Sequence, residues 1–171
     1  MQSTRVRVVE WEDPLADLAQ ARELSGLEFL GAIITGALRP PPMALLLNFR
    51  LVEVREGYAV FEGQPGEEHY NPLGLVHGGY AMTMLDSALG CAVQTILPPG
   101  ANYATTDVHA RLLRAITKDT GTIRCVGQLV SATRTHATSE ARLTDAAGTL
   151  LATGTTACAL RRSAPAEGRA R

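Results

Sequence analysis

The sequence predicts an α+β fold in which a curved antiparallel sheet wraps around one long central helix, preceded by an N-terminal helical extension. Three observations predict it. The stretch from Tyr80 to Ile96 is nearly all apolar and is opened by His77-Gly78-Gly79, as expected for a mostly buried helix behind a glycine turn. Two strand-like runs precede it and four follow, joined by short turns rich in Gly, Pro and Asp. The chain has 171 residues, of which 46% are hydrophobic, and no repeat at a solenoid period, which suits one core that needs no disulfide.

Each element has its own signal. Asp13-Pro14 makes an N-cap and first turn for PLADLAQARELS, and Ser25-Gly26-Leu27-Glu28 has capping-box spacing for a second short helix that Arg39-Pro40-Pro41-Pro42 stops. These helices form the extension, 1–43. Ala44 to Arg55 and Tyr58 to Gly63 flank Glu56-Gly57 as a hairpin. A polar loop, GQPGEEHYNPLG, leads into the long helix, which ends before Leu97-Pro98-Pro99-Gly100. Asn102 to Ile116, Gly121 to Thr133, Thr135 to Thr144 and Thr149 to Leu160 read as four strands. The sheet and helix make up 44–162, and 163–171 is expected to be a flexible tail.

Composition narrows the functional classes. The 16 basic and 17 acidic residues leave a net charge of -1, so there is no broad electrostatic case for nucleic acid or an anionic membrane. No run is long and apolar enough to span a bilayer, and MQSTRVRVVEWEDP lacks the apolar core of a signal peptide, so a cytoplasmic protein is expected. Cys91, Cys125 and Cys158 lack CxxC spacing and read as packed thiols in a reducing compartment. His69, His109 and His136 fall on different elements without ligand spacing, and no metal site is expected.

The glycine turn and Asp86 carry the chemistry. Helix N-termini present unpaired N–H groups and partial positive charge, and Gly78 and Gly79 remove the bulk that would keep a substrate carbonyl away. A carboxylate among apolar residues, as Asp86 is in sequence, is desolvated unless hydrogen bonds or function compensate it, which makes it a better base. Eight helical residues separate Gly78 from Asp86 by roughly 12 Å, too far for one substrate carbon. If both act together, a two-fold axis must pair the turn of one subunit with the carboxylate of another. The bland alternative makes Thr83, Asp86, Ser87, Gly90 and Gln94 a solvated helix face. His77 is a secondary candidate base, with fixing the turn through the backbone as its structural alternative.

This arrangement resembles the hotdog-fold acyl-CoA thioesterases, particularly the phenylacetate-degradation-type branch. The likeness spans roughly Ala44 to Leu160 and is most specific in Asn71-Pro72-Leu73-Gly74-Leu75-Val76-His77-Gly78-Gly79, with Asp86 nine positions after the histidine. The resemblance implies hydrolysis of acyl-CoA to free acid and coenzyme A at a homodimer interface, with dimers assembling into a tetramer and no cofactor. The Gly78 N–H would polarise the carbonyl, with Gly79 beside it against the substrate. Asp86 of the opposing subunit would act as base or nucleophile, and Asn71 would place the water or thioester. A hydroxyl near Thr105 would orient Asp86 or the water. Arg111, Arg114, Lys118 and Arg134 are candidates for the coenzyme A phosphates. Met82 and Met84 read as core residues that could instead line an acyl pocket. Two other functions stay open: a non-catalytic acyl-CoA sensor, and a thioesterase for acyl groups borne on a carrier protein.

Along Asn102 to Ile116, regular alternation would set Thr105, Asp107, His109 and Arg111 on one polar face and Thr106, Val108, Ala110 and Leu112 on the core face.

Overall fold

The computed structural model describes residues 4–161. The segment assigned above as a flexible tail, 163–171, lies outside the described residues. Six strands form one antiparallel sheet, β1 (Phe49–Arg55), β2 (Tyr58–Gly63), β3 (Asn102–Leu112), β4 (Ile123–Ala132), β5 (His136–Asp145) and β6 (Leu150–Arg161), in the order β1-β2-β4-β5-β6-β3. Three short helices precede it, α1 (Leu18–Glu23), α2 (Gly26–Thr35) and α3 (Pro42–Leu46). The long helix α4 (Gly78–Gln94) lies across the concave face and touches β2, β3, β4, β5 and β6.

The sequence of α4 explains its depth. Tyr80 and Ala81, Met84 and Leu85, Ala88 and Leu89, and Ala92 and Val93 recur every four residues and are all buried. Each fully buried Leu or Met contributes roughly 1.5–3 kcal/mol relative to exposure. The sheet contributes Phe61, Ile123, Cys125, Ala141, Leu143 and Ala152 from the other side. Gly127 of β4 permits the approach: a Cβ there would overlap the Ala88 carbonyl group. Two buried hydroxyls fix the helix. Ser139 of β5 donates to the Leu89 carbonyl at 2.9 Å, and Thr95 donates to the Ala92 carbonyl at 2.7 Å while accepting from the Gly57 N–H of the β1–β2 turn at 2.8 Å.

The extension differs from expectation in two places. The first helix begins at Leu18, because the Asp13 carboxylate accepts from the Leu15 N–H at 2.9 Å and forms a turn instead of a helix cap. The predicted strand from Ala44 begins at Phe49, because Pro42 sits at the start of a short helix, α3, that takes up Ala44 to Leu46. The capping box stands as predicted: the Ser25 hydroxyl accepts from the Glu28 N–H at 3.3 Å, and the Glu28 carboxylate accepts from the Ser25 N–H at 2.9 Å. Helix α2 ends at Gly36, in the left-handed conformation, before the proline run is reached.

Strand β3 is the open edge of the sheet and carries an irregularity that overturns the predicted alternation. Thr105 pairs with Cys158 and Asp107 with Ala157, so Thr106 is an extra residue on β3. Thr105 therefore shares the helix-facing side with Val108, Ala110 and Leu112, and Asp107 turns to the convex side with His109 and Arg111. The Thr106 hydroxyl holds the bulge by donating to the Ala157 carbonyl at 2.8 Å. The strand also stops at Leu112, not Ile116, because the Leu113 and Arg114 N–H groups both turn back to the Leu151 carbonyl.

Candidate active site

The loop 71–77 is built to present the helix terminus. The Asn71 side-chain carbonyl accepts from the Leu73 N–H at 2.9 Å and the Leu75 N–H at 3.2 Å, while its backbone pairs with Leu75 and Gly74. The Asn71 side-chain NH2 has no hydrogen-bond partner among the described residues. Val76 donates to the Ile116 carbonyl at 2.9 Å, and the His77 N–H to the His69 carbonyl at 2.8 Å. His77 is the N-cap of α4, its Nδ1 accepting from the Gly79 N–H at 2.9 Å. With Nδ1 an acceptor, the neutral ring carries its proton on Nε2. This contact fixes the turn and engages the Gly79 N–H within the chain. The Gly78 N–H makes no hydrogen bond with another described residue. A Cβ at Gly78 would lie 2.7 Å from a Leu112 methyl, so a side chain there would have to displace Leu112 from the cleft floor.

Gly78, Asn71 and His77 line one cleft of ≈ 340 Å³, and Arg114 stands on its rim with Leu112, Leu113 and Ile116. The other predicted phosphate ligands lie elsewhere. Arg111 faces a convex-side hollow with His109, Glu140 and Arg142, because the bulge in β3 sets its register. Arg134 is exposed in the β4–β5 turn, beside the end of β6 where the Leu160 N–H meets the Thr135 carbonyl. The three arginines thus do not converge within one chain, and Arg114 alone shares a cleft with the glycine turn.

Asp86 is exposed, on the uncovered face of α4 between Met82 and Ser87. The expectation that apolar neighbours desolvate it does not hold within one chain, since the apolar residues around it in sequence point to the opposite side of the helix. Met84 is fully buried and Met82 exposed, so these two methionines lie on different faces. The Asp86 carboxylate has one anchor among the described residues: the Thr105 hydroxyl donates to Oδ1 at 3.1 Å. That contact exists because the bulge turns Thr105 toward the helix. Burial, and after it the Asp86 charge, push the nearby Cys91 thiol well above its ordinary range, so it stays protonated. Burial likewise raises the Tyr103 phenol. Among the described residues no cluster of three His, Cys, Asp or Glu side chains is placed to hold a metal ion, and no helix is long and apolar enough to cross a membrane.

A six-stranded antiparallel sheet in this order, curled around one helix that begins at a glycine turn, defines a hotdog fold. The family model of the thioesterase superfamily matches residues 73–152 of the chain. No curated protein sequence matches the chain. Among solved structures, the chain is similar to a phenylacetic acid degradation-related protein from Ralstonia eutropha, with 25% identity, TM-score 0.69, and coverage of 76% of this chain and 98% of that one. It is also similar to the E. coli PaaI protein of the phenylacetic acid degradation operon, with 16% identity, TM-score 0.69, and coverage of 80% and 97%. A thioesterase from Haemophilus influenzae shares 13% identity at TM-score 0.69, over 81% of this chain and 94% of that one. The last two likenesses establish the fold alone.

Proposed function

We propose that this protein hydrolyses acyl-CoA thioesters in the cytoplasm, without a cofactor, as a homodimer that pairs into a tetramer. One observation carries the proposal. The ungated Gly78 N–H in a cleft and the Thr105-anchored Asp86 on the open helix face sit roughly 12 Å apart along α4, both beside the unpaired edge of β3. A second copy laid antiparallel against that edge brings Asp86 of the partner subunit to the Gly78 turn, and the same two-fold axis makes a second site.

In this site the Gly78 N–H donates to the thioester oxygen, where negative charge develops, and such a donor lowers the barrier by roughly 3 to 4 kcal/mol. Asp86 of the partner subunit takes a proton from water as the water oxygen bonds to the carbonyl carbon. Collapse of the tetrahedral adduct breaks the carbon–sulfur bond, and the proton passes to the departing sulfur, giving free acid and coenzyme A. Direct attack by the carboxylate, through a mixed anhydride that water then opens, uses the same geometry. The Asn71 NH2 holds the water or the thioester, and Arg114, which lines the same cleft, meets a coenzyme A phosphate. Pairing would also bury Asp86, supplying the desolvation that one chain lacks.

The test is free-thiol release from a panel of acyl-CoA and matched acyl-carrier-protein thioesters, with wild-type protein and Asp86→Asn. Hydrolysis of the CoA esters that Asp86→Asn reduces by at least about a hundredfold supports the proposal. Tight binding of intact acyl-CoA without product would make the protein a sensor, and turnover confined to carrier-borne esters would reassign the donor.

A further inference from the structure

Two clefts meet at the glycine turn, and they differ in chemistry. The one holding Gly78 also holds Asn71 and Arg114. The other, of ≈ 480 Å³, opens on the opposite side of His77 and Gly79 and is walled by Met43, Leu47, Tyr70 and Tyr80. Its lining is mainly apolar, and its one charged lining residue is Glu68. Among the described residues no cation lines it to hold a coenzyme A phosphate, whereas an uncharged acyl group needs none.

The outer end of this second cleft is crossed by the N-terminal segment. Arg7 donates to the Leu45 carbonyl at 2.9 Å and the Leu46 carbonyl at 3.0 Å, both in α3, and meets the Glu68 carboxylate at 3.2 Å. One guanidinium therefore ties together the two walls, α3 with Met43 and Leu47 on one side and the turn Glu67–His69 on the other. Arg5 pairs with Glu67 alongside it. Beyond lies an open hollow lined by Arg5, Val6, Arg7, Glu67, Glu68 and Tyr70, which shares Glu68 and Tyr70 with the inner cleft.

We propose that the acyl group of the substrate occupies the cleft between α3 and the turn Glu67–His69, and that Arg7, a positioning residue paired with Glu68, sets the longest chain it accepts. The inference rests on the thioesterase reading above and concerns the length of the acyl group, which it limits to medium-length chains. Such groups end against Leu47, Tyr70 and Tyr80, inside the guanidinium. A longer chain must push apolar carbon against the Arg7–Glu68 pair or displace it, and stripping water from an ion pair without replacement is unfavourable.

The experiment compares wild type, Leu47→Trp, Arg7→Ala and Glu68→Gln with acetyl-, octanoyl- and palmitoyl-CoA, and with non-hydrolysable thioether analogues of the same three lengths. Each methylene moved from water to an apolar wall contributes roughly fourfold in binding, so octanoyl should exceed acetyl by well over tenfold in the wild type. Leu47→Trp fills the cleft and should erase most of that preference by raising KM for octanoyl-CoA. Arg7→Ala and Glu68→Gln open the outer end and should raise kcat/KM for palmitoyl relative to octanoyl by about tenfold, a gain that general loss of structure does not produce. Length-independent binding of the analogues in the wild type, or a palmitoyl-to-octanoyl ratio unmoved in both outer variants, overturns the proposal. The analogues separate the two readings: length-dependent binding without turnover sinks hydrolysis and spares the pocket, while turnover without length dependence does the reverse.

Discussion

Replacing Thr105 with valine removes a hydroxyl and keeps the shape, which isolates the contact that the β3 bulge creates. The Thr105 hydroxyl is the single side-chain donor to Asp86 among the described residues, at 3.1 Å. A hydrogen bond to a charged group contributes about 1.5–3 kcal/mol, and exposure in the single chain argues for the lower end. A barrier rise of about 1.4 kcal/mol is tenfold in rate, so Thr105→Val should lower kcat about tenfold. Asp86→Asn should lower it by about 10² to 10⁴, the range of general-base assistance. Because Thr105 acts through Asp86, adding Thr105→Val to Asp86→Asn should cost little more. Thr106→Val, one position along, should leave kcat near wild type and act instead on stability through the lost bond to the Ala157 carbonyl. The assay is initial-rate thiol release at saturating acyl-CoA, with melting temperatures alongside. Full additivity of the double variant, or a Thr106→Val defect in kcat equal to that of Thr105→Val, would refute the assigned register and role.

Three other expectations follow from single contacts. His77→Ala removes the cap on the Gly79 N–H and should cost about 1 kcal/mol, or roughly 2–4 °C in Tm; His77→Asn should restore both cap and turnover, whereas a catalytic imidazole would leave the asparagine variant as inactive as the alanine one. Gly127→Ala drives a methyl into the Ala88 carbonyl group and should destabilise the fold by about 3 kcal/mol, measured by urea unfolding. The Thr149 N–H foremost, with the Thr149 hydroxyl, the Ala147 N–H and the Arg114 charge, holds the Asp145 carboxyl below its usual range, and burial opposes this. Its folded value being the lower, the stabilisation is present above the unfolded value and is lost as pH falls through the folded one. Asp145→Asn should accordingly lose less Tm than wild type between about pH 5 and pH 2.

Local signals were legible in the sequence and register was not. The Ser25–Glu28 capping box, the glycine turn at α4 and the β1–β2, β4–β5 and β5–β6 turns are written in adjacent residues, and each stands where periodicity and turn chemistry put it. Helix α3 was hidden because three prolines read as a stop, although Pro42 at a first helical position can equally start one. The bulge at Thr106 leaves no mark in composition, and without it alternation misplaces Thr105 and Asp107 alike. Asp86 was singled out for its apolar neighbours in sequence, but at 3.6 residues per turn those neighbours mostly face elsewhere. The pairing of Arg7 with Glu68 spans 61 positions and has no local signature at all.

The supernumerary Thr106 also says how chains of this kind should tolerate changes in length. Deleting that single position would let Thr105 and Asp107 follow one another opposite Cys158 and Ala157 in a regular ladder, so every side chain on β3 would keep the face it has now. Loss of this one residue should therefore be quiet in a turnover measurement and visible in a melting curve, through the missing bond to the Ala157 carbonyl.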